Sequence, residues 1–376
     1  MDAPQLELAS RLQPAAPLDQ PPLPTLAELG LASPGRTLQP AGERAAHATL
    51  RSFLDGRGHD YRRALSSPLS AVEGCSRLSP HLAFGTVSMR TVHQATEAAI
   101  AGSADRGMAY ALRGFAGRLR WHCHFMQKLE DEPAIEFRNF ARACDGLRED
   151  SLDDTRFAAW CAGRTGYPMV DACMRALLAS GWINFRMRAM LMSFAAYHLW
   201  LHWRQPALFL ARQFVDFEPG IHFSQCQMQS GTTGINTLRI YSPTQQARVQ
   251  DPDGRFIRRW VPELARVPAG FVHEPWRMPA SLQRSTGCRI GGDGAGSYPP
   301  PLVDHASAWR AARERFAAVR NSPAARQEAD AIQQRHGSRK SGMRMTGQGP
   351  RQPRTDRPAA GATAQLSLFD APPDGG

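Results

Sequence analysis

Histidines and cysteines are the residue types that most often bind metal ions, and two histidine groups stand close together in this sequence. His122 and His124 flank Cys123, and His198 lies four residues before His202. Alternate residues on a helix point apart, so the first group would not converge on one ion. The second group lacks the acidic partner of an H-E-x-x-H motif. The sequence therefore predicts no metal site at either place.

The number and spacing of the cysteines indicate the cellular compartment of the protein. Seven cysteines are scattered along the chain, and none form a C-x-x-C pair. An odd number at irregular spacing is typical of reduced thiols in a cytosol. No apolar run reaches the length of a membrane span, and no signal-peptide core follows the N-terminus. We therefore expect a cytoplasmic protein without a membrane partner. An iron–sulfur site is not expected from the spacing of Cys144, Cys161, Cys173 and Cys226.

The elements that must position any site are mostly helical between about residues 42 and 280. Apolar residues recur at helical spacing from Trp182 to Trp203, a stretch that contains neither Gly nor Pro. Residues 219–243 are rich in Gly, Ser, Thr and Pro, which predicts a long ordered loop. No stretch alternates apolar and polar residues long enough for a large sheet. The predicted fold class is all-α.

Composition divides the chain into three parts. Residues 1–41 are rich in Pro, Leu and Ala and predict a linker, residues 42–320 form the helical domain, and residues 321–376 predict a basic, largely disordered tail. The formal net charge is +11, and residues 335–357 hold seven Lys/Arg and one acid. A basic excess favours a polyanionic partner such as DNA, although more than half of this excess lies in the tail.

Residues 160–175 read WCAGRTGYPMVDACMR. This segment resembles the W-x-x-G-x-T-G-x-P-x-V-D-A-x-M-R signature of the cryptochrome and DNA photolyase family. The other matching segments are Cys75–Pro80, Gly181-Trp182, Arg186–Arg188, Arg239–Pro243, Phe256–Leu264 and Val272–Trp276. The resemblance covers about residues 42–310 and implies an all-helical domain that holds FAD in a bent form. We expect these residues to lack the α/β antenna domain that usually precedes that domain.

The resemblance implies a cofactor site made of a phosphate loop and a buried ion pair. Ser76 and Ser79 flank a helix start and would bind the diphosphate, although Ser-x-x-Ser is also a common helix cap. Arg188 and Asp216 match the pair beside the flavin ring, where a cation stabilises reduced flavin. A structural salt bridge is the alternative. The FAD-binding residues implied in this way are Tyr61, Ser76, Arg77, Leu78, Ser79, Phe115, Arg118, Arg188, Asp216, Glu218 and His222.

The substrate face departs from the family's pattern. The residues expected to meet DNA or a flipped lesion base are Arg118, Trp121, Phe185 and Met228. Arg118 stands where dimer-repairing photolyases have a Glu, and a guanidinium is a permanent donor that often binds phosphate. Met228 stands where those enzymes have a Trp, so it offers an apolar contact without an aromatic face. The lesion pocket is rebuilt, which argues against ordinary cyclobutane-dimer repair.

Three residues bear on electron transfer and redox state. Trp203 matches the middle tryptophan of the family's electron-transfer chain, and Cys226 stands at the flavin-proximal position. His222 falls where repair enzymes place an Asn facing flavin N5, and a histidine can titrate near neutral pH. Photoreduction is expected to be slow or to use another aromatic residue, among Trp160, Trp200 and Tyr241.

The tail carries a separate motif. Gln365, Leu366, Ser367, Leu368 and Phe369 resemble the bacterial sliding-clamp-binding pentapeptide. Leu368 and Phe369 would fill an apolar pocket while Gln365 hydrogen-bonds. The alternative is a chance apolar patch.

Three functions stay open for what we expect to be a monomer. The first is a light-dependent DNA-repair flavoprotein, which acts by electron transfer from FAD to a flipped lesion. The second is a cryptochrome-type photoreceptor without repair activity, which the rebuilt pocket favours and the clamp-like peptide opposes. The third is a DNA- or clamp-associated flavin-binding scaffold without photochemistry.

Overall fold

The computed structural model describes residues 22–30, 35–151, 153–292 and 294–337. The chain divides into two compact units, Met1–Arg36 and Thr37–Gly376. In the first unit the side chain of Glu28 closes a turn by accepting hydrogen bonds from the backbone N and Oγ1 of Thr25 at 2.7 and 2.8 Å. The described part of the second unit is helical, which confirms the all-α fold class, and it contains one pair of two-residue strands.

The α-helices of the described residues are short to moderate in length, apart from one of 26 residues. In chain order they are α1 Glu43–Asp55, α2 Tyr61–Ala64, α3 Ala71–Gly74, α4 Ser79–Ala83, α5 Met89–Gly102, α6 Arg106–Asp131, α7 Asp154–Cys161, α8 Pro168–Ser180, α9 Phe185–Ser193, α10 Arg204–Gln213, α11 Pro219–Ser230, α12 Pro243–Gln250, α13 Arg255–Trp260, α14 Ala269–Val272, α15 Ala280–Thr286, α16 His305–Arg320 and α17 Pro323–His336. Single 3-10 turns occur at Arg57–Asp60, Pro133–Glu136, Arg142–Cys144, Pro262–Leu264 and Pro275–Arg277, and a π-helix at Phe194–His198. The parallel strands are β1 Arg289–Ile290 and β2 Ser297–Tyr298. Within the part of the chain that the structure describes, no helix is long and apolar enough to cross a membrane.

The first of two apolar cores is formed by α1, α5 and the N-terminal half of α6. At its centre the rings of Phe53, Tyr61 and Phe115 meet edge to face, with centroids 4.8–5.7 Å apart. This is the arrangement that the ring quadrupoles favour. The start of α6 is fixed by Asp105, whose carboxylate accepts hydrogen bonds from the backbone N of Gly107 and Met108.

The second and larger core is formed by α8, α9, α11, α13 and α16. Helix α8 has a proline at its first position and ends at Gly181, whose φ of 69° is left-handed. Asp171 is buried within α8 and accepts hydrogen bonds from the backbone N and hydroxyl of Thr165 at 2.7 and 2.6 Å. The hydroxyl of Tyr298 donates to the same carboxylate at 2.6 Å. Within the segment 160–175, the buried carboxylate of Asp171 therefore links α8 to β2 through hydrogen bonds.

Helix α6 extends beyond the first core and packs against α11. Its N-terminal half contributes Leu112 and Leu119 to the first core, and its C-terminal half lies against α11. The approach is close at Gly220, where an added Cβ would lie 2.8 Å from the carbonyl oxygen of Phe125. Only a residue without a side chain fits there. Helix α6 therefore joins the first core to α11, which contributes Phe223 and Cys226 to the second core.

The stretch expected to be one helix from 182 to 203 is not continuous. Helix α9 begins at Phe185, passes into the π-helix, and ends before Trp200, which has a left-handed φ of 57°. The buried guanidinium of Arg148 donates to the carbonyl oxygen of Ala196 at 2.8 Å, inside the π-helix. The side chain of Arg148, which is distant in the sequence, thus binds a carbonyl group that a regular α-helix would use in its own hydrogen bonds. The local sequence pattern does not show this contact.

The prediction of an ordered loop over residues 219–243 was wrong for its first half, which is helix α11. The serines of this helix, Ser224 and Ser230, are buried, and so are its glutamines. Gln227 Nε2 donates to the carbonyl oxygens of Ile135 and Arg138, both at 2.8 Å. The polar composition therefore reflects tertiary hydrogen bonds, and the chain leaves the helix only at Gly231, with φ of 79°.

Helix α17 lies inside the segment that composition assigned to the tail. The carboxylate of Glu328 accepts hydrogen bonds from the backbone N of Arg142 and Ala143 at 2.7 and 2.9 Å. At the end of the helix, His336 is buried and its Nε2 lies 2.8 Å from Glu132 Oε2. Packed structure thus continues to His336, beyond the boundary predicted at residue 320.

Candidate cofactor and substrate cavity

A cavity of about 500 Å³ lies between the two cores. Tyr61, Phe115 and Leu119 line it from the first core, and Trp182 and Ile183 line it from the side of the second. The wall is mainly apolar and carries a small number of charged side chains. This is the usual character of a small-molecule site.

The loop before α4 forms one end of the cavity. Arg77 has a left-handed φ of 61°, which is costly for a residue with a Cβ. Its conformation is held by two contacts: Gln39 Nε2 donates to its carbonyl oxygen at 3.1 Å, and its guanidinium lies 3.8 Å from the ring centroid of Trp182. Ser76 and Ser79 line the cavity on either side of this loop.

A second cation joins the same end. Arg118, on α6, lies close enough to Tyr61 and Cys75 for its charge to oppose the effect of their burial. Burial raises the pKa of the Tyr61 hydroxyl, and it raises the pKa of the Cys75 thiol to about 11. Because the charge of Arg77 also acts on Cys75, two guanidinium groups lie close to this neutral thiol. This end of the cavity can therefore bind a multiply charged anion.

The wall of the large cavity also contains a buried ion pair. Arg188 Nη1 and Nη2 each donate to one carboxylate oxygen of Asp216 at 2.9 Å. Arg188 Nε donates to the carbonyl oxygen of Ile183 at 2.8 Å, and the guanidinium lies 4.1 Å from the ring centroid of Phe214. The Asp216 side chain is 2% exposed and that of Arg188 is 22% exposed. The carboxylate of Asp216 therefore holds the guanidinium of Arg188 at the cavity wall in a bidentate geometry.

A smaller cavity of about 70 Å³ adjoins the first, and Arg188 and Asp216 line both. His222 and Cys226 line the smaller one. His222 Nε2 lies 2.8 Å from the carbonyl oxygen of Ala207, which can only accept, so this nitrogen carries the proton. Burial lowers the pKa of His222 to about 4, an effect that outweighs the hydrogen bond to Ala207. Burial by the fold, which the sequence does not show, therefore holds the pKa of His222 below the near-neutral range in which a histidine can titrate.

Trp203 lies in the second core and lines neither cavity. Its Nε1 donates to Asn139 Oδ1 at 2.7 Å, and Asn139 Nδ2 donates to Asp145 Oδ1 at 2.8 Å. Its ring centroid lies 6.4 Å from that of Phe223, which is next to His222 on α11. The indole thus lies behind the helix that forms the cavity wall.

Most of the residues assigned from the sequence come together at the large cavity. Those that line it are Tyr61, Ser76, Arg77, Ser79, Phe115, Arg118, Trp121, Phe185, Arg188, Asp216, Glu218 and Met228. Leu78 is buried in the first core beside them. The clamp-like peptide from Gln365 to Phe369 lies outside the described residues.

Sequence reasoning missed other residues of the wall. His122 Nε2 lies 3.6 Å from Glu218 Oε2, and both line the large cavity. The spacing held a signal, because His122 follows Arg118 by four residues on the same helix and therefore shares its face. Gln225 lines both cavities, three residues after His222 on α11. In the described residues, no three or more His, Cys, Asp or Glu side chains are grouped as metal ligands would be.

Comparison with known proteins places this cavity in a family. A family model described as the FAD binding domain of DNA photolyase matches residues 115–318. The deoxyribodipyrimidine photo-lyase of Alkalihalophilus pseudofirmus is 33% identical over 268 residues, which are 70% of this chain and 53% of that protein. The cryptochrome DASH of Gloeobacter violaceus is 30% identical over 310 residues, 80% of this chain and 60% of that protein. A bacterial class III photolyase from Agrobacterium tumefaciens has a crystal structure that is 31% identical, with a TM-score of 0.66 over 75% of this chain and 56% of that one.

These matches fix the family while leaving part of the relatives unmatched. The chain spans 53% and 60% of the length of the two curated relatives. The family model covers more than half of this chain, from α6 to α16, and thus includes the ion pair and α11. The chain belongs to the photolyase and cryptochrome family, and the domain that it shares with that family is the FAD-binding domain of DNA photolyase.

Proposed function

We propose that this chain is a light-driven DNA-repair flavoprotein. In this proposal reduced FAD, when bound and excited by light, supplies an electron to a lesion base that is flipped out of DNA into the cavity. One observation carries the proposal: the same cavity is lined by the Arg188–Asp216 pair and by Trp121, Phe185 and Met228. If the cofactor and the base occupy the same cavity, an electron can pass between them without an intermediate protein side chain.

The residues of the cavity fit FAD. A dinucleotide has a dianionic diphosphate between two flat ring systems, and it needs cations and hydroxyls at one place and apolar walls elsewhere. Arg77, Arg118, Ser76 and Ser79 supply the first at one end of the cavity. We assign them to the diphosphate, with Tyr61 beside them.

The neighbours of Arg118 support one of its two assignments. The sequence allowed it to serve either the cofactor or DNA, and the structure has it beside Tyr61 and Cys75, next to the phosphate loop. We therefore assign its charge to the diphosphate. Arg118→Glu is expected to weaken FAD binding, whereas Arg120→Glu, on an exposed position of the same helix, is the matched control.

The Arg188–Asp216 pair is assigned to the redox-active ring. A fixed guanidinium stabilises negative charge that develops next to it, and Asp216 prevents the side chain from turning away. The contacts to Ile183 and Phe214 hold it further. Arg188 thus favours a reduced, anionic ligand before any light is absorbed.

The remaining wall is assigned to the base. Trp121 offers an aromatic face, and stacking of a base on such a face contributes about 1–3 kcal/mol. Phe185 and Met228 add apolar surface. The absence of an acid at position 118 is the observation that favours the second candidate, a cryptochrome-type photoreceptor without repair activity.

The tail peptide adds a proposed partner. The segment from Gln365 to Phe369 would bind a bacterial sliding clamp and keep the repair domain near DNA, with the tail as a tether that raises its local concentration. A peptide spanning residues 364–370 should bind the clamp with weak affinity, and Leu368→Ala with Phe369→Ala should abolish binding while FAD content stays unchanged. Absence of binding by the intact peptide to the host's own clamp would remove this partner.

Repair itself is tested with purified, FAD-loaded protein and ultraviolet-damaged oligonucleotides. Blue light should convert lesions to intact bases with a rate that scales with light dose, and the same mixture kept in the dark is the control. Chromatography of the digested DNA identifies which lesion is consumed. If no lesion is repaired although light reduces the bound flavin, the photoreceptor function replaces the repair function.

A further inference from the structure

Gln225 occupies the boundary between the two cavities. It is one of the residues that line both, and it is only 9% exposed. Phe185 and Ile221 line the same two cavities and give this boundary apolar sides. Arg188, Asp216 and Glu218 also line both cavities, so the amide of Gln225 adds a neutral polar group to a boundary that is otherwise charged or apolar.

The amide of Gln225 is oriented by its neighbour. Gln229 Nε2 donates to Gln225 Oε1 at 3.5 Å, one turn further along α11. Among the described residues, no acceptor lies within hydrogen-bond distance of Gln225 Nε2. The oxygen of this amide is therefore engaged, and its two N–H donors remain for a ligand. A ligand that fills the cavities would separate this donor from water, so an acceptor on the ligand would stabilise the arrangement.

We infer that Gln225 is a binding residue whose Nε2 donates a hydrogen bond to a carbonyl oxygen of the heterocycle that occupies the junction of the two cavities. This inference rests on the proposed function and extends it to a residue that the family resemblance did not mark. Two ligands present such a carbonyl on a flat ring: the pyrimidine part of the flavin, and a thymine-type base. Both would be recognised by the same donor.

The donor is tested with three variants. Gln225→Met keeps the length of the side chain and removes the donor, and Gln225→Glu replaces the N–H₂ group by an acceptor. Gln245→Met, at an exposed position of α12, is the matched control. All measurements are made in the dark, so that they do not depend on repair or on photoreduction.

The first arm asks whether the partner is the flavin. FAD affinity is measured by fluorescence, and the carbonyl bands of carbon-13-labelled FAD are recorded by infrared difference spectroscopy. Loss of one neutral hydrogen bond should weaken FAD binding about fivefold to tenfold in Gln225→Met and more in Gln225→Glu. A labelled carbonyl band should move to higher frequency in both variants, which a purely structural change would not produce.

The second arm asks whether the partner is a base. FAD-loaded protein is titrated with an oligonucleotide that carries a thymine dimer and with the undamaged sequence. If the base is the partner, Gln225→Met should lower the preference for the damaged strand about fivefold, while FAD affinity and the labelled bands stay as in the control.

The outcomes separate the inference from the proposed function. A change in either arm supports the inference, and it does so even if no lesion is repaired in light. If both arms match Gln245→Met, Gln225 binds no carbonyl and the inference is overturned. If both variants fail to fold, the wild-type protein still tests the inference. Labelled FAD carbonyl bands at the frequencies seen in an aprotic solvent would show that no carbonyl accepts a hydrogen bond. That result, together with equal binding of damaged and undamaged DNA, would overturn the inference.

Discussion

Breaking the Arg188–Asp216 pair should cost both stability and cofactor. In Asp216→Asn, one amide oxygen can still accept from Arg188, but the amide nitrogen faces a second donor. The variant loses one of the two hydrogen bonds at 2.9 Å and leaves the guanidinium charge without its counterion.

The magnitude follows from the burial of the two groups. A charge-assisted hydrogen bond contributes about 1.5–3 kcal/mol, and removing one partner of a fully buried ion pair costs about 3–5 kcal/mol. Arg188 keeps 22% exposure and its contact to Ile183, so its charge is partly solvated after the change. We expect the free energy of unfolding to fall by about 2–4 kcal/mol, which corresponds to about 3–6 °C in Tm for a domain of about 300 residues.

Urea unfolding of the protein with and without FAD measures both effects. A ligand that binds only the folded state raises stability in proportion to the logarithm of its excess over Kd, so weaker FAD binding appears as a smaller gap between the two curves. Asp55→Asn, at the exposed end of α1, is the control. The doubly reversed variant, Arg188→Asp with Asp216→Arg, should release the flavin and give colourless protein. A loss below about 0.5 kcal/mol in Asp216→Asn, with FAD still held, would refute this reasoning, since that is the usual size for a surface substitution.

Three further predictions concern individual contacts. Burial lowers the pKa of His222 from 6.5 to about 4 in the folded protein. The stability that the neutral side chain contributes is therefore complete above pH 6.5 and is lost as the pH falls towards 4. In His222→Asn, the free energy of unfolding should depend on pH less steeply in this range, by the equivalent of about one proton. Trp203→Phe removes the buried indole donor to Asn139 and should lower the free energy of unfolding, measured in urea, by about 1–3 kcal/mol. Transient absorption should also show slower photoreduction of the flavin in this variant. Unchanged photoreduction would exclude Trp203 from the electron-transfer route. Glu328→Ala removes the acceptor for two backbone N–H groups, so α17 should be cleaved by protease sooner than in Arg326→Ala, and equal cleavage rates would show that other contacts hold the helix.

Local signals predicted the parts of the fold that depend on neighbouring residues. The all-α class followed from helical periodicity, and α8 has the proline start and glycine stop that its sequence indicates. The signature motifs implied that Arg188 and Asp216 meet, and they do so although 28 positions separate them.

Features that depend on distant partners were not predictable in this way. Gln227 in α11 is stabilised by carbonyl groups of Ile135 and Arg138, so its helix could not be distinguished from a polar loop. The π-helix depends on the guanidinium of Arg148. The pKa of His222 depends on burial by the fold as a whole, and the role of Gln225 depends on which two cavities meet beside it.

The division into two cores also sets the order in which the site can form during synthesis. Every residue of the first core, from Ala46 to Leu119, leaves the ribosome before the first residue of α7. That core brings Tyr61 and Arg118 together early, yet the ion pair needs Asp216, and the cavity wall is finished only with Arg239. A nascent chain stopped before α7 presents the phosphate end of the site alone. Binding of the flavin is thus a late event in folding, because it requires that both halves of the domain have been synthesised and have packed together.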